Sequence, residues 1–157
     1  MGRGIVSLPL TKDKEKETMS LYSDYETDES TEKQGVWVEY SPNKDETVPA
    51  FKVARLCKTN QKYQKLLEAR TRPHRRAIEV GTISEKVAED IYLGVFIDSI
   101  VVDTRNLQDR KGKAMKGTKE ELTELFKALP ELYEDLAGRA KSISLFRSEA
   151  VEDEAKN

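Results

Sequence analysis

KTNQKYQKLLEARTRPHRRAIEVG, residues 58–81, is the stretch from which the fold is read. Thr59 or Asn60 can cap a helix start, because a short polar side chain accepts from the free backbone N–H groups of the first turn. Tyr63, Leu66, Leu67 and Arg70 follow at i, i+3, i+4 and i+7, one face of a helix. Pro73 disfavours the helical conformation at Arg72, so the helix breaks or kinks there. Proline is acceptable in a first turn, and helix resumes from Pro73 through Ala77 and Ile78. Gly81 supplies the C-terminal cap. The expected fold class is therefore mainly α: a small helical domain (58–150), preceded by a β-hairpin (35–57) and a disordered acidic N-terminal tail (1–34), with a frayed end (151–157).

The hairpin is read immediately upstream. Val36-Trp37-Val38-Glu39-Tyr40 is β-branched and aromatic, Ser41 to Glu46 is turn chemistry, and Ala50 to Leu56 is rich in alternating apolar residues. A two-stranded hairpin is marginal alone, so it must pack on the helices or pair with another chain. Before it, Lys12 to Glu17 alternates in sign and Ser23 to Glu32 is mostly acid, Ser and Thr. Few apolar residues offset the entropy of ordering there, and disorder is the expectation.

Downstream, Ser84 is a good N-cap and Val87, Ala88, Ile91, Val95, Ile97 or Asp98, and Val101 or Val102 trace a helical stripe. The segment Ile91 to Val102 is apolar nearly all round, as a central buried helix would be. Its β-branched residues keep a strand from Phe96 to Val102 as an alternative. Asn106 to Gly117 reads as a basic loop. Thr118 and Glu121 have the spacing of a capping box. Leu122, Leu125, Phe126 and Leu129 form the face of the helix that follows. Pro130 breaks or bends that helix, and Leu132, Tyr133, Leu136, Ala140, Ile143 and Phe146 continue at helical spacing.

Charge is distributed unevenly. Residues 58–76 carry seven basic and one acidic residue, whereas residues 118–157 carry six basic and ten acidic, so the net charge of −2 conceals a polarised surface. Cys57 is the only cysteine, which excludes an internal disulfide and fits a reducing compartment. The apolar run Ile5–Leu10 is short for a signal peptide, and no run approaches a membrane span. The expectation is a soluble intracellular protein with no membrane partner. His74 is the only histidine, so His–Asp–Ser and multi-histidine metal arrangements are excluded. No phosphate-cradling GxxxxGK[ST] is present. No catalytic residue, cofactor or metal is assigned, and the chain is expected not to be an enzyme.

The arginine cluster Arg70, Arg72, Arg75 and Arg76 is the sharpest local signal. It reads as a solvated or internally paired face, as a contact for carboxylates of a protein partner, or as a phosphate contact. Nucleic acid is the lesser of these, since no aromatic residues interleave the arginines.

The order of motifs resembles the tail assembly chaperones of long-tailed bacteriophages. The matching positions are Phe51-Lys52-Val53-Ala54-Arg55, Pro73-His74-Arg75-Arg76-Ala77-Ile78, Gly81-Thr82-Ile83, Leu129-Pro130-Glu131-Leu132-Tyr133 and Phe146-Arg147-Ser148-Glu149-Ala150, within residues 48–157. His74 stands where such proteins commonly have an aromatic residue. The resemblance implies a non-enzymatic helical protein of the host cytoplasm, absent from the mature virion, that binds the tape measure protein during tail morphogenesis. Candidate partner-binding residues are Tyr63, Leu67, Arg70, Arg72, Arg75, Arg76, Phe126, Leu129 and Tyr133. Self-association stays open as a second partner. The alternatives are a structural virion subunit of tail completion or connector type, and a nucleic-acid-binding regulator.

Overall fold

A computed structural model describes residues 20–147. The order of elements is α1 (Ser20–Tyr25), α2 (Glu29–Gln34), β1 (Val36–Glu39), β2 (Ala50–Val53), α3 (Gln61–Thr71), a 3-10 turn (Arg72–His74), α4 (Arg75–Glu79), α5 (Glu85–Ser99), β3 (Val101–Arg105), α6 (Lys119–Ala128), α7 (Pro130–Lys141) and a second 3-10 turn (Ile143–Phe146). The fold is mainly helical.

The hairpin does not stand alone. β2 lies between β1 and β3, antiparallel to both, with Phe51 opposite Val38 on one side and Thr104 on the other. The helical stripe expected to run through Val101 or Val102 therefore ends at Ser99, and the strand alternative begins at Val101 rather than Phe96. Two local causes stand out. Val101, Val102 and Thr104 are β-branched and favour extended backbone, and the Ile100 carbonyl accepts the Ala54 N–H, which draws the chain into the sheet beside β2. The register slips between Lys52 and Val53, leaving Val102 out of the pairing and exposed.

One face of this sheet buries Val38, Phe51 and Val53 against Phe96, Ile100, Phe126, Leu136 and Phe146. The strands and helices thus share one core. Phe51 is its hinge point: it meets Tyr40 edge-on at 6.0 Å and Phe126 at 5.7 Å.

Caps fix the helix starts. Asn60 accepts from the Tyr63 N–H and Ser84 from the Val87 N–H. Thr118 and Glu121 form both halves of the capping box. Gly81, with φ +74, lies just past α4, where Thr82 donates to the Ala77 carbonyl. Gly117, with φ +80, lies so close to Thr104 that a Cβ would collide with it. Around Pro73 the helix tightens into the 3-10 turn before α4, a consequence of the missing proline N–H. Ser142 is extended, so Ile143 and Phe146 lie on a 3-10 turn rather than on a continuing helix.

Residues 20–34, expected as tail, hold α1 and α2. The apolar count misses what orders them. Asp28 caps α2, and its N–H donates to the Phe146 carbonyl. Arg55 meets Glu32 at 2.9 Å, and the Arg55 N–H donates to the Glu32 carbonyl. Arg147 lies 3.9 Å from Asp24. The disorder expected for residues 1–19 and the fraying expected for 151–157 lie outside the described residues.

Truncating Phe51 tests the shared core. Phe51→Ala should cost about 3–5 kcal/mol in urea unfolding, in one transition that takes sheet and helices together. Two separate transitions in the parent protein would contradict a single core.

Candidate functional site

Helices α3 and α5 form an antiparallel hairpin. The start of α3 sits by Arg55, whose carbonyl accepts from Asn60, near the Ile100 end of α5. The far end of α3 presents Arg70 to Gly94 in the middle of α5. Arg70 is not free to meet a partner. Its guanidinium lies 2.6 Å from the Asp98 carboxylate, which Lys119 at the start of α6 also reaches at 2.6 Å. Burial pushes the Asp98 carboxyl up, but the hydrogen bonds from Lys119 and Arg70 outweigh it, and it sits below its ordinary value. The candidate Arg70 is thus part of the joint between α3, α5 and α6.

The other arginines lie beyond that joint, at the tip of the hairpin. Arg72 is exposed and pairs with Glu68 one turn back at 3.3 Å. Arg75 and Arg76 are exposed and have no ion pair among the described residues. Among the described residues the counter-charges of this cluster are Asp98 and Glu68. Ile78 and Val80 stand exposed beside them, Val80 at 62%.

The apolar candidates gather on the other side of α5. Tyr133 of α7 meets Phe96 edge-on at 5.1 Å and Phe126 at 5.9 Å. Tyr63 is half-buried and lies close enough to Tyr133 and Tyr92 for each hydroxyl to feel the next. Burial, and then that neighbour, push the Tyr63 and Tyr133 hydroxyls up from their ordinary values. Phe126 is 2% exposed and serves the core; it backs the site without offering surface of its own. Leu129, 47% exposed, sits at the corner between α6 and α7. Leu67 is half-buried on α3.

Between the first half of α5 and the α6–α7 corner lies a groove of about 790 Å3. Leu93, Phe126 and Tyr133 form its floor, and Glu85, Lys86, Glu89 and Glu134 stand along its edges. Lys127 closes one side by pairing with Asp90 at 2.9 Å. Tyr92, 47% exposed, lines it as well and was missed by the sequence reading, which followed only the aliphatic stripe. Its signal was present: Tyr92 lies four residues after Ala88, on the same face as Glu85 and Glu89. The candidate residues therefore fall into separate places: a half-buried joint (Arg70), an exposed basic tip (Arg72, Arg75, Arg76) and an aromatic groove lined by Tyr133 and Phe126, with Leu129 next to its Pro130 wall and Tyr63 and Leu67 half-buried on α3 outside its lining.

A family model described as YdaY prophage protein matches residues 58–157. That span includes both the tip and the groove, and excludes β1 and β2. No curated protein and no solved structure matches.

The joint predicts an acid limit. A carboxylate held below its ordinary value contributes stability above the unfolded pKa of ~3.9, and that contribution is lost as pH falls through the folded value. Asp98→Asn should lower stability at neutral pH by about 1–2 kcal/mol, a figure reduced for partial exposure. The gap between variant and parent should close below about pH 4. A gap that stays constant down to pH 3 would show that Asp98 is not ion-paired.

Proposed function

We propose that this chain, which belongs to the YdaY prophage protein family and is thereby phage-derived, acts in tail morphogenesis as an assembly chaperone that binds the tape measure protein. It acts by binding rather than catalysis, in the host cytoplasm, and is left behind when the virion is complete. The observation that supports this reading best is the groove. A floor of Leu93, Phe126 and Tyr133, with Tyr92 exposed at one edge, carboxylates along the edges and Leu129 exposed beside Pro130, has the form that receives the apolar face of an amphipathic helix. A long helical client exposes such faces along its length until it is enclosed by tube. A surface that covers them for a time, and then releases them, keeps the client soluble. The order of motifs from Phe51 to Tyr133 adds to this reading.

Aromatic side chains at the centre of such a contact carry much of its energy. Tyr92→Ala should weaken capture of the tape measure protein by about 1–2 kcal/mol, read by pull-down or calorimetry. Co-expression of the parent chain should raise the amount of soluble tape measure protein, and the Tyr92→Ala chain should raise it less, at an unchanged helical circular dichroism signal. Equal protection by the two chains would remove the groove from the account. Stoichiometric presence of the chain in purified virions would replace the chaperone reading with that of a structural tail subunit.

A further inference from the structure

The tip of the α3–α5 hairpin and the groove beside it are complementary. The tip is convex. Arg75 and Arg76 have no ion pair among the described residues, and Ile78 and Val80 stand exposed next to them. The groove is concave, with an apolar floor and Glu85, Glu89 and Glu134 at its edges; Lys86 also lines it, and with Lys127 paired to Asp90 the edge keeps a net negative charge. The tip does not fill its own groove. Only residues 81–84 separate α4 and Val80 from the start of α5, and Val80 remains open to solvent.

We infer that the tip of one copy seats in the groove of a second copy, and that the second copy's tip seats in the first. Both surfaces lie at one end of the hairpin, so a single two-fold axis beside that end satisfies both contacts at once, as a self-complementary interface requires. Ile78 and Val80 enter over the aromatic floor, while Arg75 and Arg76 meet the edge carboxylates. Opposite charges set the register and exclude a tip-to-tip arrangement, in which Arg75 and Arg76 of the two copies would face one another. The apolar side chains supply the association, and the ion pairs at the rim make it sensitive to salt.

This pairing stands on the two surfaces of the chain alone and does not depend on the client proposed above. It adds a consequence for that client: whatever enters the groove displaces the second copy. The resting chain is then a dimer whose groove is covered, and the bound chain presents one groove to its partner.

Sedimentation velocity of the full chain, without client, tests the pairing. The chain should show a concentration-dependent dimer that weakens as salt rises. Arg75→Glu with Arg76→Glu should weaken it by about tenfold or more, and Glu85→Lys with Glu89→Lys should do the same. Mixing the two double variants should restore a dimer, because both contacts of the mixed pair are then matched: the acidic tip meets the basic groove and the basic tip meets the acidic groove. That recovery cannot come from a misfolded chain. A monomer at every concentration, a dimer that both double variants retain, or a mixture that stays monomeric would each overturn the inference. Since no client is present, none of these results bears on whether the groove holds the tape measure protein.

Discussion

Asp98 is the point on which the helical half of the molecule turns. One carboxylate takes Arg70 from α3 and Lys119 from α6 at 2.6 Å each, while its own helix α5 runs through the core. Two cations on one acid offset the cost of taking it partly out of water. The contact also sets the angle at which α3 and α6 flank α5. Everything beyond that joint is free of the core: the 3-10 turn at Pro73, the short helix α4, and the first half of α5. The molecule therefore has a packed base, made of sheet and helices, and a projecting end that carries unspent charge and exposed aliphatic residues.

In the proposed function the projecting end is the part of the molecule that recognises the client. Phe126 and Leu93 belong to the core, yet they also form the back of the groove. A core residue used in this way cannot rearrange on binding without loss of stability. The groove is thus rigid at its floor and adaptable at its edges, where Glu85, Glu89 and Tyr92 are exposed. Such a surface suits partners that share an amphipathic pattern rather than one sequence.

Much of this was legible from the residues. The caps at Asn60, Ser84 and Thr118 were readable because each places a polar side chain three residues before the N–H it satisfies. Pro73 and Pro130 marked helix junctions for the steric reason given by the ring. What was not legible depended on distant pairing. The acid at position 98 within an apolar stripe hinted at a buried partner, but only the fold identifies that partner as Arg70. β3 was obscured because Ile91 to Val102 is apolar nearly all round, and periodicity cannot divide the apolar end of a helix from the strand that follows it. Helices α1 and α2 were missed because their order comes from Arg55, Arg147 and the Phe146 carbonyl, each far away in sequence. The groove follows the same rule. Its residues come from α5, α6 and α7, and no single window of sequence contains them.

The central claim is that the groove between α5 and the α6–α7 corner is the surface through which this phage-derived chain acts. Hydrogen exchange measured at concentrations where the free chain is monomeric, with and without the tape measure protein, tests it most directly. The account predicts that amides of residues 85–93 and 129–134 become protected while those of β1, β2 and β3 keep their rates. Unchanged rates in those two segments, or protection confined to the sheet, would contradict it.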